Sequence, residues 1–384
     1  MTKFSEELRK YGVKSIVNKK RESPLWNGPE KDGITFSLLS RFLTCRERFR
    51  LLVIEGLRAH QTFDHKIEYG HMWHACEEAL AAKGSWKPAL ANYCRRAVQT
   101  YPTDAERIDH WYNVCLLQFP IYVKYWEAHK DVTNRIPIAQ ERVFDVPYVL
   151  PSGRVVRLRG KQDSVDYIVE SRTRGKVYLQ ENKTKGDIDE SKLRRQLTFD
   201  LQTGMYLTAI AFDKTFPVNK TYGKKIGGIR YNVVKRPLSG GKGTIKRKEP
   251  SKANPYGESK DAYYRRVAEY IENEPHEYFM RWRVEISEAD LHKFRSECLD
   301  PILEQLCEWW DWVSRYSNPF GTKGDKYPNR TNSIHWRHPF GVHNVLDEGG
   351  STDLDNYLAT GSELGLTRVE TLFNELEVNP VTST

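Results

Sequence analysis

The sequence predicts an α/β protein in which a β-sheet core is flanked by helices, with further helical additions at the N- and C-terminal ends. Three observations predict it. Apolar residues recur at helical spacing before residue 135 and again after 261. Short runs rich in Val, Ile and Tyr, separated by turn residues, crowd between 136 and 183. A long helical pattern over 189–212 then leads to another strand-like run at 226–235.

Residues 1–33 are polar and broken by Pro24, Gly28 and Pro29, so a loosely docked N-terminal arm is expected. Residues 34–135 form a helical region. Its first helix starts near Thr35 or Ser37 and sets Leu38, Leu39, Phe42, Cys45, Phe49, Leu52 and Ile54 along one face. The other face carries Arg41, Arg46, Glu47, Arg48 and Arg50, which suits a solvated surface as well as a phosphate-contacting one. The next helix, near 68–82, contains Gly70, His74 and Glu78. His74 and Glu78 lie four apart on one face, a spacing that serves a metal site or a simple side-chain pair. Helices follow over 89–99 and 105–129, the latter kinked at Pro120, and their aromatic stripe through Trp111, Phe119, Tyr122 and Trp126 reads as core.

The texture changes over 136–235. Strand, turn and strand run from Glu141 through Pro151-Ser-Gly153 to Arg159 and lead into Gly160-Lys-Gln-Asp163. A polar link ending in Gly175 joins this to Lys176–Thr184, so a β-hairpin is expected. Side chains alternate faces along a strand, which puts Glu181 and Lys183 on one side, with Asp163 needed opposite them on the neighbouring strand. Two such carboxylates supply hard oxygen ligands for Mg²⁺ or Mn²⁺, and the lysine adds a positive charge. Glu141 joins them if its strand is adjacent, whereas Asp166 faces away and reads as structural. By residue types alone, a solvated hairpin with an ordinary surface salt bridge between Glu181 and Lys183 or a nearby arginine is the favoured reading. The helix over 189–212 sets Leu193, Leu197, Leu201, Met205 and Thr208 on its core stripe, with Gln202 and Tyr206 one turn apart beside it.

Residues 236–260 are rich in Gly, Lys, Ser and Pro and read as a basic flexible loop. Residues 261–346 form a C-terminal helical region whose Trp309, Trp310 and Trp312 are explained by packing, followed by a loop with His335, His338 and His343. Residues 347–384 read as an acidic tail. With 384 residues, a formal charge of +9 and frequent aromatics, the chain has the composition of a globular protein that favours a polyanionic partner. Its six cysteines are scattered without a Cys-x-x-Cys pair, so neither a disulfide framework nor a zinc ribbon is indicated. No apolar run is long enough for a bilayer, and a cytoplasmic protein with no membrane partner is expected.

Four motifs in this order resemble those of the PD-(D/E)xK nuclease superfamily, in particular RecB-like exonucleases and their relatives in phages and CRISPR adaptation. Gly70-x-x-x-His74 is similar to the helical histidine motif, and Gly160-x-x-Asp163 to the aspartate motif. Glu181-Asn-Lys183 is similar to E-x-K, and Gln202-x-x-x-Tyr206 to the glutamine–tyrosine motif. Each is short and common by itself; their order is what carries the resemblance. It covers about 34–235 and implies a restriction-endonuclease-like mixed sheet, with the nuclease core at 136–235 and His74 contributed from the helical region.

The resemblance further implies that Asp163 and Glu181 hold Mg²⁺ or Mn²⁺, with His74 and the Asn182 backbone carbonyl as additional ligands. Lys183 would orient the attacking water and support developing charge, while Gln202 and Tyr206 would position the nucleic-acid backbone or brace the site. The implied activity is hydrolysis of phosphodiester bonds in double- or single-stranded DNA. An exonuclease of recombination, repair or phage DNA metabolism is expected, acting in the host cytoplasm if phage-encoded. A non-catalytic nucleic-acid-binding scaffold and an RNA-directed nuclease are the alternatives, and the intact Asp163, Glu181 and Lys183 speak against the scaffold. Some relatives hold a four-iron cluster through one early and three late cysteines. Cys45 stands at the early position, but the late cysteines are missing. His335, His338 and His343 are there instead, as remnants or as a nitrogen-rich metal site with Cys45.

Overall fold

The hairpin predicted around Asp163 lies at the middle of a five-stranded sheet. The computed structural model describes residues 24–44, 46–59, 63–129, 135–169, 175–198, 200–217, 223–237, 245–252, 254–315, 366–373 and 376. Cys45, His335, His338, His343, residues 1–23 of the expected arm and most of the expected tail lie outside the described residues.

In chain order the elements are α1 (Phe36–Thr44), α2 (Arg46–Phe49), β1 (Leu57–Ala59), α3 (His65–Ala81), α4 (Trp86–Thr100), α5 (Ala105–Glu127), β2 (Arg135–Val149), β3 (Val155–Ile168) and β4 (Lys176–Lys185). They continue with α6 (Glu190–Thr198), α7 (Leu201–Phe212), β5 (Ile226–Lys235), α8 (Lys260–Asn273), α9 (Pro275–Tyr278), β6 (Phe279–Glu285), α10 (Glu288–Phe294), α11 (Asp300–Arg315) and β7 (Leu366–Arg368). By their contacts the described residues fall into two units, one within 63–304 and one within 1–62 and 305–384.

In the first unit, β2, β3 and β4 pair antiparallel, β4 and β5 pair parallel, and β5 and β6 pair antiparallel, which makes the sheet mixed. The parallel pair needs a crossover, and α6 and α7 supply it. Every residue of β5 is buried, as befits a strand with neighbours on both sides. The strand β6 is missing from the sequence reading, although Met280, Trp282 and Val284 alternate with Arg281, Arg283 and Glu285 at the period of a strand.

Helices α3, α4, α5 and α8 share one core, in which Trp73, Phe119, Tyr122, Trp126 and Val267 are buried. The aromatic stripe is therefore packing, as its spacing predicts. Cys76, Cys94 and Cys115 are buried thiols within that core. The helix expected over 189–212 is in fact two, because Asp200 caps α7 by accepting the Thr203 N–H at 3.3 Å. The helix expected near 289–315 is interrupted by a π-helical turn at Arg295–Leu299, and the one expected near 37–54 ends in such a turn at Arg50–Ile54. The basic segment after Arg236 is tied down where it is described: Glu258 accepts the Lys248 N–H at 3.0 Å and the Arg266 guanidinium at 2.6 Å. No described helix is long and apolar enough to cross a membrane.

In the second unit, Trp26 is fully buried, edge-on to Phe49 at 5.1 Å and to Trp310 at 5.0 Å. Trp309 meets Phe42 at 5.5 Å and Phe49 at 5.4 Å, each such pair worth about 1 kcal/mol beyond its area. Strand β1 pairs antiparallel with β7, which joins residues near both ends of the sequence.

Asp166 occupies a fully buried position, where it pairs with Arg135 at 3.1 Å and accepts from Ser164 and from Gln180. Gln180 in turn accepts from Arg230 at 3.0 Å. Taking away one partner of such a cluster strands the rest without water, so Asp166→Ala should cost about 3 kcal/mol of stability. Urea unfolding of Asp166→Ala and Asp166→Asn checks this, with Asn expected to lose less; wild-type midpoints in both would contradict the structural role of this carboxylate.

Candidate active site

Two glycines allow the surrounding elements to close on Asp163 and Glu181. A Cβ on Gly70 would stand 3.3 Å from Thr184 Oγ1, so its absence lets α3 approach β4 and carry His74 toward the sheet. A Cβ on Gly160 would lie 2.6 Å from the Phe144 ring and 3.1 Å from that of Tyr206. Gly160 thus leaves room for α7 to pack its tyrosine on β3.

The register Ser164↔Gln180 sets Asp163 and Glu181 opposite each other at the next position of β3 and β4. Asp163 Oδ2 accepts the Asn182 N–H at 2.9 Å, and its Oδ1 lies 3.9 Å from His74 Nδ1. Between the pairs Gln140↔Ser164 and Arg142↔Gln162, Glu141 adopts φ +46°, a left-handed conformation that costs roughly 1–2 kcal/mol in a non-glycine residue. Its strand is adjacent to that of Asp163, which is the condition for it to join the cluster. One ligand atom each from His74, Glu141 and Asp163 fall within 4.8 Å of one another. Lys161 balances Glu141 at 2.6 Å.

Glu181 and Lys183 do share a side of β4: Lys183 Nζ donates to Glu181 Oε1 at 2.5 Å and to Gln202 Oε1 at 2.8 Å. The second oxygen of Glu181 is buried with no hydrogen-bond partner. Gln202 reaches the lysine because the Asp200 cap starts a new helix immediately before it. Tyr206, one turn on, is buried edge-on to Phe144 of β2 at 5.3 Å and lies close to Gly160 of β3. The Asn182 side chain points into a polar network, where its Oδ1 accepts from Asn232 at 2.9 Å. Asn232 also donates to Glu77 Oε1 at 3.1 Å and to the Tyr122 hydroxyl at 2.7 Å, and Arg281 donates to Asn232 Oδ1 at 3.0 Å.

Glu77 is the neighbour that the sequence reading misses. It follows His74 by three residues, one helical turn, and that spacing was the available signal. Its Oε1 accepts the Tyr122 hydroxyl at 2.8 Å, while its Oε2 is buried without a partner.

Four acids therefore share a poorly solvated space. Burial pushes the Asp163 carboxyl up to about 7, against the Asn182 N–H and with help from Glu141. Burial likewise raises Glu181 to about 7, opposed by Lys183 and reinforced by Asp163. Glu141 and Glu77 are raised as well, chiefly by burial. Burial disfavours the Lys183 charge, yet the Glu181 carboxylate outweighs it and the pKa is raised. This lysine stays an ammonium across the neutral range.

Hard oxygens beside an imidazole, with one buried oxygen unsatisfied, fit a divalent cation. The residues that would hold it are His74, Glu141, Asp163 and Glu181. Without metal, Asp163 and Glu181 bind protons in the folded state between about pH 4, where the unfolded groups titrate, and about pH 7. The folded state holds more protons in that window, so metal-free stability should fall as pH rises through it. Calorimetric titration with Mn²⁺ in buffers of different ionisation enthalpy should show proton release at pH 6 and little at pH 8.5. Equal release at both would contradict the raised carboxyls.

Residues 34–309 match the PD-(D/E)XK nuclease superfamily, well over half of the chain. Among curated proteins no relative matches it. Members of the superfamily are hydrolytic nucleases that use divalent metal ions and act on nucleic acid. With its mixed five-stranded sheet flanked by helices, the restriction-endonuclease-like arrangement, the chain belongs to the PD-(D/E)XK nuclease superfamily.

Proposed function

We propose that the protein is an Mg²⁺- or Mn²⁺-dependent exonuclease that hydrolyses phosphodiester bonds of DNA, in recombination, repair or phage DNA metabolism. The observation that supports the reading most is the joining of Glu181, Lys183 and Gln202 beside Asp163, His74 and Glu141. A salt bridge on a solvated hairpin would not bury a carboxylate oxygen without a partner. The RecB-like subtype rests on the order of the four motifs, and DNA as substrate on the subtype and the net charge of +9.

Asp163 and Glu181 are the principal ligands, with His74, Glu141 and the Asn182 carbonyl completing the shell. When bound, the divalent cation lowers the pKa of water and stabilises charge on phosphate oxygens. Lys183 orients the attacking water through its fixed ammonium and stabilises the charge that develops on the phosphate. It is suited to this because it remains protonated and is gripped from two sides. Gln202 acts through Lys183: its carbonyl oxygen at 2.8 Å prevents the lysine from collapsing onto Glu181 alone. Tyr206 braces β2 and β3 by its contact with Phe144 and its closeness to Gly160.

A cleavage panel of linear and circular, single- and double-stranded DNA and RNA, each with Mg²⁺, Mn²⁺ or EDTA, tests the reading. Linear DNA should be degraded with metal, closed circles spared and EDTA inhibitory. Asp163→Asn, Glu181→Gln and Lys183→Gln should each lower the rate by about 10²-fold or more while leaving the fold intact. Undiminished cleavage in all three variants would end the assignment, and cleavage of closed circles would exclude the exonuclease.

A further inference from the structure

Strand β4 carries a second lysine on the side of Lys183, because Lys185 follows it by two residues. Two residues advance a strand by roughly 6.6 Å, so Lys185 stands one step beyond the candidate hydrolytic centre. Arg236 is brought beside it from the end of β5: its backbone N–H donates to the Lys185 carbonyl at 2.8 Å, and its Nη1 to the Thr184 carbonyl at 3.3 Å. The charges of Lys183 and Arg236 both act on Lys185 where β4 and β5 end, and that of Arg236 is itself answered by Asp64.

The flanking lysines are matched, Lys183 with Glu181 at 2.5 Å and Lys235 with Asp187 at 3.3 Å. Lys185 is not. Among the described residues no carboxylate forms an ion pair with its ammonium. It is half-buried, and burial first, then the like charges of Lys183 and Arg236, lower its pKa. Asp200 acts on it from further off, but that carboxylate already accepts the Thr203 N–H as the α7 cap. A stem packed along the sheet would explain half-burial, since lysines bury their methylenes and keep the head in water. It does not explain a head held among like charges, where a neutral residue would cost less. An anion from outside resolves the conflict, and a phosphate makes strong charge-assisted hydrogen bonds to such a group.

We propose that Lys185, supported by Arg236, forms a second phosphate subsite that takes the nucleic-acid phosphate adjoining the one aligned at Lys183. This rests on the nuclease reading and deepens it. The phosphate is either an internal one of the backbone or the terminal phosphate of an end.

Fluorescence anisotropy of a labelled single-stranded oligonucleotide, on the full chain in EDTA across a salt series, distinguishes these cases. Each phosphate contact to a single strand contributes about 0.7 to the slope of log affinity against log salt, so Lys185→Gln should lower the slope by about that amount. Lys185→Arg should restore it, and Lys124→Gln, at an exposed position on α5, should leave it unchanged. Oligonucleotides ending in 5′-phosphate, 3′-phosphate or hydroxyl identify the source. A terminal phosphate is the ligand if the affinity it adds disappears in Lys185→Gln, and an internal one if the slope falls for every end alike. A wild-type slope in Lys185→Gln, or an equal loss in Lys124→Gln, overturns the subsite while the nuclease reading stands. A wild type that binds no oligonucleotide overturns both.

Discussion

The site is governed by an excess of buried and half-buried negative charge. Glu77, Glu141, Asp163 and Glu181 converge from α3 and three neighbouring strands, while Lys183 and Lys161 are the cations that answer them directly. Carboxylates in a poorly hydrated space either take up protons or gather cations, and here burial raises all four. A protein selected for stability alone would replace such a cluster with apolar residues, often at no cost. Such a cluster is suited to taking up a cation, and the partnerless oxygens of Glu181 and Glu77 show where compensation is missing.

The scaffold serves that cluster at some expense to regularity. Glu141 takes a left-handed conformation inside a strand, Asp200 breaks a helix so that Gln202 can begin a new one, and Gly70 and Gly160 remove side chains at close approaches. Behind the carboxylates, Asn182, Asn232, Tyr122 and Arg281 form a polar network that extends across β4, β5 and β6 to α5. Networks of this kind hold first contacts within a narrow geometry. Asp166, by contrast, is bound to Arg135 and Gln180 and belongs to the architecture of the sheet.

Much of this was legible in the sequence, for reasons that differ by element. The hairpin and the helices near 68–82 and 105–129 could be read because their periodicity is strong and their boundaries carry turn residues. The common side of Glu181 and Lys183 follows from strand geometry alone. Strand β6 was lost because two arginines interrupt a short apolar run, even though the alternation was there. The divided helix at Asp200 escaped because its apolar stripe continues through the break, and only the capping residue marks the interruption. Glu77 was passed over for Glu78 because spacing on a helix defines a face but not which acid is turned toward a neighbouring strand. The hold of Gln202 on Lys183 was also beyond the sequence, since it joins two elements across a crossover.

The central claim is that His74, Glu141, Asp163 and Glu181 form one divalent-cation site. Anomalous diffraction from crystals of the wild-type protein grown with Mn²⁺ tests it most directly. The account predicts a manganese peak between His74 Nδ1 or Nε2 and the three carboxylates, lost in crystals of Asp163→Asn. A well-ordered site without a peak there, or manganese held only elsewhere on the chain, would contradict it.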